Sequence, residues 1–276
     1  MTSVSAVKGP LLLVGCGKMG GALLEGWQAR GLAASDAMVV EPMAPAHEAL
    51  AGRGIAAVAA ADELPGGFRP RVVVLAIKPQ QLDATIGSYR RFVDPQTAFL
   101  SIIAGKKLAG FAAALGDEAA VVRAMPNTPA AVGRGISVLV ANARVSDRQR
   151  ADCSALLAAV GETAWVEDEG LLDPVTAVSG GGPAYVFLLA ECLETAGIEA
   201  GLPAGLAARL ARATVAGSGE LLRQARESPA KLRENVSSPG GTTLEALKVL
   251  RAPDGLEGLM IRAVAEATRR SRELAS

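Results

Sequence analysis

Short apolar runs alternate with longer amphipathic segments through the first half of the chain, the rhythm of a strand–helix–strand fold. Runs at Leu11–Val14, Met38–Val40, Ile55–Val58, Val72–Ala76, Phe99–Ile102 and Ala120–Val122 read as strands, with helices such as Ala22–Arg30, Ala46–Ala51 and Leu82–Phe92 between several of them. Strands that are apolar throughout must be covered on both faces, which predicts a parallel sheet flanked by helices. Ile136–Val140 and Ala164–Val166 add strand-like runs around a helix near Asp147–Ala159 and should extend the sheet at one edge. From about Leu171 the strand signal stops. Leucine and alanine then recur at three- and four-residue spacing, broken only at Gly197–Pro203, Ser228-Pro229 and Ser238–Gly241. The acidic Glu167-Asp168-Glu169 is the natural junction. The expected fold is α/β: an N-terminal Rossmann-type dinucleotide-binding domain over residues 1–167, then an all-helical C-terminal domain over residues 168–276.

Composition narrows the function classes. A chain of 276 residues with 50% hydrophobic content can bury one sizeable core, or two smaller ones in a two-domain chain, and two domains are expected. Lys+Arg and Asp+Glu are equal at 28 each, so no excess positive field draws nucleic acid or an anionic membrane, and neither partner is expected. Cys16, Cys153 and Cys192 are odd in number and lack CxxC spacing, which argues against disulfides and against a metal site and suits a reducing cytoplasm. Leu11–Val14 is too short for a signal core, and no stretch of the sequence looks long and apolar enough to span a membrane.

Two glycine-rich motifs lie far apart, which suggests one site for a cofactor and one for a substrate. Gly15, Gly17 and Gly20 follow an apolar strand and open a helical segment, so the N–H groups there, with Lys18 and Met19, would face a pyrophosphate. Glu41 ends the second strand, 41 − 20 = 21 residues beyond the last glycine, near the offset at which an acid binds a ribose. A carboxylate there would repel a 2′-phosphate, so the cofactor is NADPH or NADH, with NADH used at least comparably. Strands four and five end in Ala76-Ile77-Lys78-Pro79 and Ser101-Ile102-Ile103-Ala104-Gly105, whose small residues would let a nicotinamide ribose approach the backbone. Lys78 is either solvated or in contact with the cofactor phosphate. The late motif, Ser237 to Thr243, offers hydroxyls and backbone N–H groups of the kind that hold a small carboxylate.

What is missing narrows the chemistry. The one histidine, His47, falls in an outer helix and reads as a surface residue. Oxidising an alcohol needs a positioned base, whereas reducing a protonated C=N bond needs little beyond hydride alignment and a weak proton donor. Ser179 and Thr243 are the candidate hydroxyls.

The chain resembles the pyrroline-5-carboxylate reductases over nearly its whole length. The resemblance rests on Gly15–Gly20, Ala76-Ile77-Lys78-Pro79, Arg123-Ala124-Met125-Pro126-Asn127-Thr128-Pro129, Val175–Gly180 with Gly182-Pro183-Ala184-Tyr185, and Val236–Thr243. It implies hydride transfer from NAD(P)H to 1-pyrroline-5-carboxylate, giving L-proline. It also implies a C-terminal domain that interlocks with its partner into a homodimer, which is often assembled further into rings of dimers. The resemblance makes Met125 and Asn127 part of the wall of the nicotinamide site. It makes Ser238, Gly240, Gly241, Thr242 and Thr243 the substrate-carboxylate loop, with Thr243 near the ring nitrogen. Gly181 stands where the family commonly has serine, and Pro174 where it has alanine, a change that suits only the first turn of a helix. A β-hydroxyacid dehydrogenase is the rival enzyme, but its catalytic lysine has no counterpart in Ser179–Gly201. A dinucleotide-sensing or scaffolding protein is the rival of another class.

Overall fold

The computed structural model describes residues 4, 7 and 9–274. Among the described residues the sheet has eight strands in the order β3-β2-β1-β4-β5-β6-β7-β8. They are β1 (Leu11–Val14), β2 (Ala37–Val40), β3 (Ala56–Val58), β4 (Val72–Leu75), β5 (Ala98–Ser101), β6 (Ala120–Met125), β7 (Gly135–Ala141) and β8 (Gly161–Trp165). The central strand β1 pairs with β2 and β4 in parallel, Leu11 opposite Ala37 on one side and Val72 on the other. Alternate residues of β1 serve different cores: Leu11 and Leu13 pack on one face of the sheet, Leu12 and Val14 on the other. That is why the strand is apolar throughout, each buried leucine being worth roughly 1.5–3 kcal/mol.

Helices α1 (Lys18–Ala29), α2 (Ala44–Ala51), α3 (Pro79–Thr85), α4 (Leu108–Leu115) and α5 (Asp147–Ala158) accompany these strands. Buried Trp27 of α1 donates its Nε1–H to the Leu156 carbonyl of α5 at 2.8 Å, joining two helices through one core. The expected single helix over Leu82–Phe92 is divided, α3 giving way to a 3₁₀ segment over Ile86–Phe92. The sheet is also not wholly parallel. β7 runs antiparallel to β6, because the connection between them, built on the turn Thr128–Val132, is shorter than a parallel crossover requires.

The chain divides into two compact units, one running through Gly180 and resuming at Thr268, the other spanning Gly181–Ala267. The acidic stretch expected at the junction lies inside the first unit, held by charge. Glu167 pairs with Arg150, while Glu169 accepts the Leu108 N–H at 2.7 Å and pairs with Arg123 of β6. Beyond it come α6 (Leu172–Val175), with Pro174 in its first turn where proline is tolerated, and a π-helical turn over Thr176–Gly180.

The second unit is built from α7 (Gly182–Glu199), α8 (Ala204–Gln224), α9 (Pro229–Asn235), α10 (Thr242–Leu250) and the first part of α11 (Leu256–Leu274). Close packing of α7 on α8 leaves Gly197 facing the Ala207 methyl, 3.3 Å from where a Cβ would stand. Few large side chains are buried there: Phe187 is 63% and Leu221 66% exposed in the single chain, and Leu188, Leu222 and Ile261 are exposed as well. One expectation fails at this point. The nearly continuous helical run Glu169–Glu199 is long and apolar enough, by length and composition, to cross a membrane. Adjoining helical segments fuse into one run, which short sequence windows divided at the glycines do not reveal.

Candidate functional site

The carboxyl ends of β1, β2 and β4 meet where the strand order reverses, the place where open α/β sheets hold ligands. A cleft of about 770 Å³ opens there, lined by Gly15, Gly17, Glu41, Ala76 and Lys78 among others. Its floor needs glycine. Gly15 has φ +88°, and a Cβ on it would stand 2.8 Å from Ile77 Cγ2 and 2.9 Å from the Ala76 carbonyl oxygen. A Cβ on Gly20 would stand 2.3 Å from the Gly15 carbonyl oxygen, so α1 starts tight against the turn. Gly17, the N-cap of α1, has no side-chain cap and nothing within 4 Å of a Cβ position. The helix start therefore presents exposed N–H groups and the positive end of its dipole at Gly17 and Lys18, a fit for a pyrophosphate. Met19, half-buried, packs against the core beneath.

Glu41 is the buried charge of this cleft, 8% exposed. Its Oε2 accepts the Cys16 N–H at 2.8 Å and its Oε1 the Met43 N–H at 3.2 Å, so the carboxylate is fixed between the glycine turn and the loop after β2. The Cys16 thiol beside it is pushed above its usual pKa, by burial first and by the Glu41 charge second, and is kept from the thiolate form. His47 departs from the free surface position expected of it: half-buried, its Nε2 bonds to the Glu41 main-chain oxygen. Lys78 is the exposed N-cap of α3, followed by Pro79 at the first helical position, and its N–H meets Gln81 Oε1 at 3.3 Å. Ser101 is fully buried and its Oγ accepts the Ile103 N–H at 3.2 Å, so its hydroxyl shapes the turn after β5. In that turn Ala104 is exposed and Gly105 has φ +74°. Asp62 and Thr85 also line the cleft and escaped the sequence reading, although the strand-end rule that found Glu41 points equally to the residues after β3.

A second group forms at the end of β6. Asn127 Oδ1 accepts the Ile136 N–H at 3.0 Å, and its Nδ2 donates to Ser179 Oγ at 3.1 Å. Met125 packs close to the π-helical turn, its Cε 2.6 Å from where a Cβ on Gly180 would stand.

The late motif lies in the second compact unit. Ser237 Oγ donates to the Arg233 carbonyl at 2.7 Å, and Gly240 has φ +70°, reversing the chain into α10. Gly241 caps α10 without a side chain, leaving the first N–H groups of the helix, at Thr242 and Thr243, exposed with Ser238 and Gly240. The Gly241 N–H closes a turn on the Ser238 carbonyl at 3.0 Å, which leaves the Thr242 and Thr243 N–H groups as the ones facing outward.

Two families match the chain. That described as pyrroline-5-carboxylate reductase dimerisation covers residues 169–274, and that described as NADP oxidoreductase, coenzyme F420-dependent, covers residues 11–105. The pyrroline-5-carboxylate reductase of Pseudomonas aeruginosa is 39% identical over 273 residues, 96% of each chain. Among solved structures, a pyrroline-5-carboxylate reductase from Coxiella burnetii superposes with a TM-score of 0.91 at 31% identity, over 97% of this chain and 99% of that one. The Plasmodium falciparum pyrroline carboxylate reductase with NADP bound gives a TM-score of 0.81 at 26% identity, over 98% and 99%. With 39% identity to a relative over 96% of each chain, laid over a glycine-floored cleft at the strand-order reversal, the chain belongs to the pyrroline-5-carboxylate reductase family.

Proposed function

We propose that this oxidoreductase reduces the C=N bond of 1-pyrroline-5-carboxylate to L-proline, with bound NAD(P)H supplying the hydride. The observation that carries the reading is the pairing, in one chain, of a glycine-floored cleft at the strand-order reversal with a helix start of exposed N–H groups at Thr242 and Thr243. Gly15, Gly17 and Gly20, with Lys18 and Met19, would hold the pyrophosphate, and Glu41 the ribose diol. Ala76, Lys78, Pro79, Ser101, Ala104 and Gly105 would line the path toward the nicotinamide, with Met125 and Asn127 as its wall. Thr242 and Thr243 N–H groups would hold the substrate carboxylate on the turn built by Ser238, Gly240 and Gly241, without any arginine. Thr243 Oγ would hydrogen-bond the ring nitrogen. A carbon already made electrophilic by an iminium needs alignment more than a base, which suits a site without histidine.

The exposed apolar side chains of α7, α8 and α11 support a homodimer, in which a second copy supplies the burial that one chain lacks. The apolar length of Glu169–Glu199 is accounted for by the same interface. We further propose a ring of dimers as the higher assembly, residence in the cytoplasm, where three free thiols persist, and a functional boundary at 167/168, which the match beginning at residue 169 supports. The test is to follow NADH and NADPH oxidation with five- and six-membered cyclic imino acids, and NAD+ and NADP+ reduction with hydroxy acids. Turnover of the five-membered imino acid is expected; oxidation of a hydroxy acid without imine reduction would sink the assignment.

A further inference from the structure

Asn127 has no freedom in the orientation of its amide. A backbone N–H can only donate, so the oxygen of Asn127 must be the atom that meets the Ile136 N–H at 3.0 Å. The NH₂ group is then the one facing Ser179 Oγ at 3.1 Å, and it too can only donate. Ser179 therefore spends a lone pair on this contact and its own proton points elsewhere. Among the described residues, none within hydrogen-bonding geometry accepts that proton. The serine sits on the π-helical turn Thr176–Gly180, the kind of local widening that recurs at functional sites, and remains half-exposed.

We propose that Asn127 is a positioning residue: by fixing Ser179 as an acceptor on one side, it holds the hydroxyl proton ready for an acceptor atom on the bound reactants. This rests on the imine-reductase reading. Two atoms offer that chemistry, the carboxamide oxygen of the nicotinamide and the lone pair that develops on the ring nitrogen as hydride adds. In either case no proton need leave Ser179; the gain is a hydrogen bond whose direction is set before the reactants arrive.

Asn127→Asp tests the direction of that bond. The carboxylate keeps an oxygen for the Ile136 N–H, but its other oxygen accepts where the amide donated, so the Ser179 proton turns toward Asp and away from the reactants. Asn127→Asp, Ser179→Ala and the double variant are compared with wild type, by thermal melting, by kcat/KM for the imine and by NADH affinity from fluorescence titration. Each single variant is expected to lose about tenfold, the size of one well-placed hydrogen bond, and the double variant no more than Ser179→Ala alone. A loss in NADH affinity assigns the acceptor to the carboxamide; a loss in kcat/KM at unchanged affinity assigns it to the ring nitrogen. Wild-type values in Asn127→Asp overturn the proposal, as does an equal further loss when Ser179 is already alanine. Should Asn127→Asp fail to fold, Ser179→Ala decides, and its retaining both full turnover and full affinity overturns the proposal. A wild type that binds NADH but ignores the imine defeats the functional reading instead; the affinity arm then decides, and unchanged affinity in both variants overturns the proposal.

Discussion

Replacing Glu41 by serine should move cofactor preference toward NADPH. The carboxylate cannot swing away from an incoming 2′-phosphate, because both of its oxygens are held by main-chain N–H groups, at 2.8 Å from Cys16 and 3.2 Å from Met43. Two like charges some 4–6 Å apart near a protein surface repel by roughly 3–4 kcal/mol, and salt and the open cleft reduce this to about 1.4–2.8 kcal/mol. That corresponds to about tenfold to a hundredfold in the ratio of kcat/KM for NADPH to that for NADH. The same change removes the acceptor for a ribose diol, so NADH should lose while NADPH gains. It also leaves two N–H groups without their partner, at a cost of about 1–3 kcal/mol in stability, which a melting curve separates from the kinetic effect. The assay is initial-rate kinetics with both cofactors on wild type and Glu41→Ser at fixed ionic strength. An unchanged ratio in a folded variant would mean that the ribose does not meet Glu41, and the assignment of this cleft's polar end would be wrong.

Thr243→Ala keeps the backbone of the loop proposed to hold the carboxylate and removes one hydroxyl. It should lower kcat/KM for the imine by about tenfold to a hundredfold with cofactor affinity unmoved, and wild-type turnover would show that the hydroxyl is a bystander. Arg71 reaches across the fold to Asp152, Nε at 2.7 Å and Nη2 at 2.5 Å from one carboxylate oxygen, with both side chains buried. Arg71→Ala should therefore cost about 3–5 kcal/mol in urea unfolding, whereas replacing both partners by apolar residues should cost far less; equal losses would contradict the uncompensated-charge account. Phe187→Glu, at an exposed apolar position of α7, should shift sedimentation from dimer to smaller species, and a wild type that sediments as an active monomer would refute the interface.

Among the described residues, apolar runs were enough to point to the eight strands; β1 and β4 were the most conspicuous, because a strand buried on both faces is apolar at every position, whereas β3 and β8 are only partly buried and left a weaker signal. The glycine turn was legible for a related reason: Gly15 and Gly20 stand where the backbone itself leaves no room for a Cβ. That Glu41 ends β2 at the cleft and that exposed threonines follow the second glycine turn could be read from spacing and residue type, and so could the apolar surplus of the helical region. Hydrogen-bond partners across long separations could not. Asn127 meets Ser179 fifty-two residues away, and Glu169 meets Arg123 forty-six residues away, through contacts that exist only once β6 and the segment after β8 lie together. The antiparallel turn into β7 depended on a connection too short to cross over, and the loss of the Gly241 N–H to the Ser238 carbonyl on a local turn geometry that residue type leaves open. Local pattern is written in burial and backbone freedom, both properties of a residue and its neighbours. The direction in which a hydroxyl offers its proton is a property of the atoms that surround it, and only the folded chain brings those together.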